Sequence, residues 1–204
     1  MAMSATSRIL LVAVIAGLLG IAAGIAINGP GPLLGPALRT ELGQRVLQRA
    51  VAVHAPPTPA GLVVAARGER MPPLALADLD GRPVALPKAF AGRPILINFW
   101  ASWCGPCIKE MPELDRYAAE TGPNGAQVVG IALDRPDDVR AFLQHTPVAY
   151  PILIDVPGPR DSSVQLGNPK GVLPYTALIG ADGRLLKQKI GPFAPGEIEA
   201  WVRP

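Results

Sequence analysis

Ile95-Leu96-Ile97-Asn98-Phe99-Trp100-Ala101-Ser102-Trp103-Cys104-Gly105-Pro106-Cys107 holds the only two cysteines of the chain and decides how the rest is read. Its first six residues are a nearly unbroken apolar run. That run is too short for a good helix and rich in Ile and aromatics, so it reads as a strand buried on both faces. A turn follows, and a helical pattern begins around Pro106. Strand, turn and helix start together put Cys104 at a helix N-terminus, where unpaired backbone N–H groups and the positive end of the helix dipole favour an anion. The thiolate, not the thiol, is the nucleophile. Lowering a thiol pKa from about 8.5 to about 7 takes about 2 kcal/mol and makes about half the population reactive. Cys107 lies one turn further in and is expected to be the more buried. The natural division of labour has Cys104 attacking a partner's disulfide and Cys107 resolving the mixed disulfide.

Two other uses of the pair carry less weight. A structural bridge across so short a loop would constrain little of the unfolded chain. A zinc site would need His54 and His145 as its remaining ligands, and nothing pairs those histidines at metal spacing. No metal and no tightly bound cofactor is therefore expected.

Outward from that stretch, the 204 residues fit one domain of ordinary size plus an appendage. The net charge of +3 is too small and too scattered to argue for a nucleic-acid partner. Residues Ile9 to Ile27 form an uncharged apolar run of 19 residues behind Arg8, close to the ~20 that cross a bilayer as a helix. A cleaved secretory signal and a retained anchor both fit. The anchor is favoured, because the run exceeds a usual signal core and no clean A-x-A site closes it before Asn28. Gly20 and Gly24 permit helix pairing in the membrane without arguing for it. Arg8 on one side, and Arg39 and Arg45 on the other, leave the positive-inside count close to balanced.

Asn28-Gly29-Pro30-Gly31-Pro32 ends the run. Residues Ala37 to Val53 fit a short helix, with Leu38, Leu42, Val46 and Ala50 along one face. It would rest on the membrane surface, pack on the soluble domain, or serve as a weakly helical spacer. Ala55-Pro56-Pro57-Thr58-Pro59-Ala60-Gly61 reads as a stiff linker. The expected division is a membrane anchor over 1–28, a juxtamembrane helix and Pro-rich linker over 29–66, and a folded domain over 67–204.

Within that domain, Leu74 to Leu86 reads as a hairpin about Asp80-Gly81. The central strand and the dithiol helix follow, the helix carrying Pro112 and stopping near Gly122-Pro123. A buried strand over Gln127 to Leu133 comes next, then a helix over Pro136 to Leu143. A short strand (Tyr150 to Ile154) and a short helix (Ser162 to Leu166) make an insertion. Strands over Tyr175 to Ile179 and Leu185 to Ile190 flank the turn Ala181-Asp182-Gly183, and a last helix spans Pro195 to Val202. This order predicts an α/β three-layer sandwich, its mixed sheet carrying helices on both faces.

Trp103-Cys104-Gly105-Pro106-Cys107, following Asn98-Phe99-Trp100-Ala101-Ser102, resembles the thioredoxin superfamily, and the expected fold is thioredoxin-like. With Glu110 and a single N-terminal span, the chain more narrowly resembles the membrane-anchored thiol–disulfide oxidoreductases of the TlpA/ResA/DsbE (CcmG)-like group. The match runs from about Glu69 to the C-terminus. The resemblance implies that Glu110 takes the proton acceptor's place. Thioredoxin itself carries a buried aspartate where this chain has Asn98, and an amide cannot accept the proton that must leave Cys107. Glu110 shares a helix face with Cys107 at i, i+3, and partial burial would raise its pKa.

The resemblance further implies that Pro174 is cis and faces the dithiol, exposing the backbone of Leu173 to an extended substrate peptide. Leu173 and Tyr175 would contact the substrate, Trp103 would be an apolar platform at the rim, and Trp100 would be core. Pro106 would keep the helix start rigid, and Gly105 would let another chain approach.

What the resemblance implies about setting is an N-in, C-out protein of the inner membrane with its domain in the periplasm. It would be kept reduced by a membrane electron donor of the DsbD/CcdA type. Its substrates would be proteins with disulfides or CxxC thiols, such as apocytochrome c or metalloprotein assembly thiols. Disulfide reduction is the expected direction, and a disulfide-forming or isomerising oxidase stays open because CxxC potentials span about −270 to −120 mV. A thiol peroxidase lacks its usual Thr-x-x before the cysteine here. A Cu(I)-binding module, using soft thiolates, remains a rival.

Overall fold

The computed structural model describes residues 40–53 and 55–203, without the side chain of residue 41. The apolar run 9–27, the breaker cluster 28–32 and His54 lie outside the described residues, and so does the membrane anchor expected from them. Among the described residues, no helix is long and apolar enough to cross a membrane. The chain divides into two compact units, residues 1–47 and 48–204. Helix α1 (Glu41–Val53) runs across that boundary.

The second unit then follows the order β1 (Leu74–Asp78), β2 (Pro83–Leu86), β3 (Ile95–Trp100), α2 (Gly105–Thr121), β4 (Gln127–Leu133), α3 (Pro136–His145) and β5 (Ile152–Asp155). It closes with α4 (Ser162–Gln165), β6 (Tyr175–Ile179), β7 (Leu185–Ile190) and α5 (Glu197–Val202). Seven strands form one sheet in the order β2-β1-β5-β4-β3-β6-β7. β3 pairs parallel with β4, β4 parallel with β5, and β3 antiparallel with β6. The sheet is mixed, as the order of elements predicts, and the fold is a thioredoxin-like α/β fold.

The hairpin β1–β2 adds to the sheet through β1 and β5, antiparallel. Its turn is closed by Asp78, whose Oδ1 accepts from the amides of Asp80 at 2.9 Å and Arg82 at 2.8 Å. Gly81 there has φ +81°, a conformation that side-chain-bearing residues rarely adopt.

The helices are distributed unevenly. β3→α2→β4 and β4→α3→β5 step across the sheet in the same direction, so right-handed crossovers put α2 and α3 on one face. Helix α5 joins them, with Ile198 and Trp201 in the same apolar cluster as Met111, Leu114, Val139 and Phe142. The other face is covered by the short α4 and the segment leading into β1, through Leu166, Ala65 and Met71.

All six residues of β3 are buried, and alternation sends them to opposite faces. Ile95, Ile97 and Phe99 enter the cluster beneath α4, while Leu96 and Trp100 enter the one beneath α2. Asn98 falls in phase with Leu96 and Trp100, so its amide is forced under α2. That helix buries Cys107, Glu110, Met111, Leu114 and Tyr117, a stripe at helical spacing with a carboxyl inside it. Gly130 lies beside Asn98 in the register, and a Cβ there would meet Ile152 Cδ1 at 2.7 Å and Trp100 Nε1 at 3.2 Å. A side chain at that point would therefore have to displace Ile152 and crowd the Trp100 indole.

Candidate active site

The chain leaves β3 at Trp100, turns through Ala101-Ser102-Trp103, and enters α2 with Cys104 as its N-cap. Cys104 and Cys107 are joined in a disulfide with their Cα atoms 5.3 Å apart. Sγ of Cys104 accepts from the Cys107 amide at 3.3 Å, so the backbone donors at the helix start point at this sulfur. Both cysteines are buried, Cys104 at 5 % exposure and Cys107 at 0 %. Gly105 and Pro106 lie on the surface, with Pro106 in the first turn, where its missing N–H costs nothing. Trp103 is 71 % exposed, an indole standing in solvent next to Cys104 in the chain. Trp100 is fully buried and packs at a tilt against Phe142, the ring centroids 5.3 Å apart.

The turn before Cys104 is fastened by Asp134, which follows β4. Its Oδ2 accepts from the Ser102 amide at 2.9 Å and the Ser102 hydroxyl at 2.6 Å, and its Oδ1 from the Arg135 amide at 2.8 Å. Sequence reasoning passed over Asp134. The available signal was its place just past the end of a parallel strand adjoining β3, where α/β sheets collect their sites.

Pro174 is in a cis peptide with Leu173, and a second cis bond joins Leu86 and Pro87, which the sequence reading did not include. Tyr175 pairs with Phe99 across the sheet, so Leu173 and Pro174 lie beside the segment that carries the cysteines. Leu173 is half-buried and packs against the cluster containing both cysteines. Asn168 holds this loop. Its Oδ1 accepts from the Val172 amide at 3.0 Å, and its Nδ2 donates to the Val172 carbonyl at 3.0 Å and to Ser163 Oγ at 3.2 Å. Asn168 was also missed, because nothing local distinguishes it from any loop asparagine.

Tyr175 corrects an expectation. Its side chain is fully buried against Phe99, and its hydroxyl donates to the Leu166 carbonyl at 2.7 Å. Burial pushes its ionisation upward. Its ring points into the sheet's second face and fastens α4, while Leu173 stays half-buried in the loop before it. A cleft of about 570 Å³ opens beside it, lined by Trp103, Leu133, Val164, Leu173 and Pro56 among others.

Glu110 is only 2 % exposed, deeper than the partial burial expected of it. Its Oε1 accepts from Asn98 Nδ2 at 2.8 Å, and its Oε2 from the Phe193 amide at 2.9 Å. Asn98 Nδ2 also donates to Thr176 Oγ1 at 3.1 Å, while Asn98 Oδ1 is buried without a hydrogen-bond partner. Desolvation raises the Glu110 pKa from 4.5 to about 7, against the opposing pull of the Phe193 and Asn98 hydrogen bonds and of Lys189. Glu110 lies one turn beyond Cys107 on the same helix. Its charge in turn helps burial push the Tyr150 hydroxyl upward. A carboxyl that ionises near neutral pH, one turn from a dithiol, can take up or deliver a single proton.

Among the described residues, no group of His, Cys, Asp and Glu is arranged to hold a metal ion.

Known proteins resemble this chain in sequence and in fold. A thiol-disulfide oxidoreductase ResA from Bacillus thuringiensis is 28 % identical over 137 residues, covering 67 % of this chain and 76 % of its own. A second ResA, from Geobacillus thermodenitrificans, is 30 % identical over 133 residues, covering 65 % and 74 %. Among solved structures, one assigned as the thiol:disulfide interchange protein DsbE from Chlorobium tepidum superposes with a TM-score of 0.58 at 30 % identity, covering 67 % of this chain and 93 % of that one. The thioredoxin-related protein from Neisseria meningitidis serogroup B gives a TM-score of 0.56 at 33 % identity, covering 62 % and 95 %. The Redoxin family model matches residues 66–200, a span that takes in every strand of the sheet and both halves of the dithiol site, and the chain belongs to the Redoxin family.

Proposed function

We propose that this redox enzyme reduces disulfides of proteins outside the cytoplasm by dithiol–disulfide exchange. The observation that carries the reading is the Cys104–Cys107 disulfide at the mouth of α2, with Glu110 one turn behind it. In the reduced enzyme, the Cys104 thiolate attacks one sulfur of the target disulfide. A mixed disulfide forms, and the other target sulfur leaves as a thiolate that takes a proton from solvent. Cys107 then gives its proton to Glu110 and attacks Cys104 Sγ. The second target sulfur is expelled, and Glu110 releases its proton towards it or to water. The target gains two electrons and two protons, and the enzyme is left in the disulfide form seen here.

Trp103 and Leu173 form the surface that receives the target, with Gly105 and Pro106 giving a rigid, unobstructed approach. The backbone of Leu173 beside Pro174 pairs with an extended target strand. The run 9–27 anchors the chain in the inner membrane, and the domain faces the periplasm. Electrons arrive from a membrane dithiol donor of the DsbD/CcdA type. The targets are cysteine pairs in apocytochrome c or in the thiols of metalloprotein assembly. The ResA relatives are named thiol-disulfide oxidoreductases, which supports the reaction and leaves its targets to experiment.

The test is capture in cells. Cys107→Ser stops the second step, so Cys104 keeps its target as a mixed disulfide that mass spectrometry identifies. Capture of proteins through cysteine pairs supports the reading. A variant that captures nothing, in cells where Cys104 is shown to be reduced, refutes it.

A further inference from the structure

In the sheet register, Asn98 lies opposite Thr176, and Thr176 lies opposite Lys189. Side chains opposite one another across paired strands share a face, so these three form a polar row on three adjacent strands, under α2 and α5. Asn98 and Thr176 are already engaged with one another and with Glu110. Lys189 ends the row and is the unusual member, since lysine is almost never fully buried. Only 1 % of it is exposed. Its Nζ donates to Glu197 Oε1 at 2.9 Å and lies 5.2 Å from the centroid of the Phe193 ring.

The same short segment reaches Glu110. Phe193 gives its amide to Glu110 Oε2 at 2.9 Å, and Ala194 gives its amide to Glu197 Oε2 at 2.7 Å. Lys189 therefore grips both ends of the segment 193–197, by its charge at Glu197 and by its ammonium at the Phe193 ring. Lys189 and Glu197 also act on Glu110 through space with opposite signs, the lysine favouring the carboxylate and the glutamate opposing it.

We propose that the buried Lys189–Glu197 pair is a positioning pair for Glu110: it holds segment 193–197 against that carboxyl and supplies the field in which the carboxyl gains and loses its proton. A pair serving stability alone has no need of charge at this place, because well-packed apolar side chains replace buried ion pairs at little cost. Among the described residues, the groups around Glu110 are few. From α2 comes Cys107. The sheet contributes Asn98, Thr176 and Lys189. The loop before β5 brings the Tyr150 hydroxyl, and the segment into α5 brings the Phe193 amide and Glu197. Lys189 is the cation of this set, and Glu197 its anion.

The inference deepens the proton role assigned to Glu110 but is tested apart from it. The oxidised full-length protein is labelled with 13C, and the Glu110 carboxyl, assigned by its loss in Glu110→Gln, is titrated by NMR. Lys189→Met is expected to move the Glu110 midpoint up by about 1 pH unit, and Glu197→Gln to move it down. The double variant returns towards wild type, and Lys189→Arg stays near it. If Lys189→Met does not fold, Glu197→Gln and Lys189→Arg still decide the matter. Midpoints that stay put, or move in the same direction in both single variants, overturn the proposal. If the midpoints move as expected while disulfide reduction follows the wild-type pH profile, the pair is upheld and the proton role of Glu110 fails.

Discussion

Replacing Glu110 by Gln tests the most consequential number at the site. The carboxyl goes from an ordinary 4.5 to about 7 on folding, chiefly by desolvation. Each pKa unit is worth 1.36 kcal/mol, so keeping this group charged in the fold costs about 3 kcal/mol. The sign follows from which state binds the proton more tightly. Between pH 4.5 and 7 the folded protein holds a proton that the unfolded chain has released. Stability from this group is therefore complete below about pH 4.5 and is lost as pH rises through about 7. A Gln side chain matches the protonated carboxyl in size and does not titrate. Its carbonyl can accept from the Phe193 amide. Its NH2 meets Asn98, whose idle Oδ1 can receive it once that amide turns over.

The assay is urea unfolding of the disulfide-intact protein from pH 4 to pH 8.5, for wild type and Glu110→Gln side by side. The stability difference is expected to shift in favour of the variant by about 3 kcal/mol across that range, with its steepest change between pH 5 and 7. The comparison cancels every other titrating group that the two proteins share. A difference that stays flat with pH would mean that Glu110 is not held near neutrality, and the proton acceptor in the proposed reaction would have to be sought elsewhere.

At pH 7, the same substitution should slow the resolution of a mixed disulfide by about 100-fold in rapid-quench single turnovers, the lower end of what a positioned base supplies. Asp134→Ala strips the acceptor from the Ser102 amide and hydroxyl. It should cost about 2 kcal/mol in urea unfolding and speed hydrogen exchange at Ser102. Asn168→Ala frees the loop at Val172. An increase in KM for a disulfide-bonded protein is expected, with little change for a small aromatic disulfide, in a stopped-flow comparison of the two. Gly130→Val forces methyls against Ile152 and Trp100 and should cost about 1–3 kcal/mol, seen as a lower urea midpoint with an unchanged slope.

How legible the molecule is in its sequence depends on the range of the interaction that fixes each part. The strand into Cys104, the helix beyond it and the hairpin at Asp80-Gly81 are written in neighbouring residues, and each appears where local pattern puts it. The uneven covering of the sheet is not local. It follows from the direction in which successive crossovers step, which becomes visible only once strand order is known. Tyr175 shows the same limit at one residue. Its nearness to Pro174 suggested the surface, but strand alternation turns its ring towards Phe99 and away from the cysteines. Asp134, Asn168 and Lys189 act across separations of 32, 4 and 8 residues, respectively. Even the short separations depend on loops whose path the sequence does not dictate. In Leu185-Leu186-Lys187-Gln188-Lys189-Ile190, the polar residues look like an ordinary edge strand. Only α5 folding back over it buries the second lysine.

Asn98 gives this site a property that an acid on the strand would not have. A carboxyl at that position would face Glu110 directly, and two acids in one dry space cannot both stay charged near neutral pH. An amide has no proton to lose, so the titration belongs to one group. It also carries a donor and an acceptor on the same rotor. With Nδ2 towards Glu110, it serves the carboxylate and Thr176 together, as observed. Turned over, Oδ1 can accept a hydrogen bond from the neutral Glu110 while the Thr176 hydroxyl donates to it. The idle Oδ1 is thus the acceptor required by the protonated form, kept within reach. In either charge state the contact between Glu110 and Asn98 then keeps a donor facing an acceptor, and the unpaired amide atom is left on Asn98. That is the condition for a buried carboxyl to exchange its proton near pH 7 without disturbing the helix that presents the cysteines.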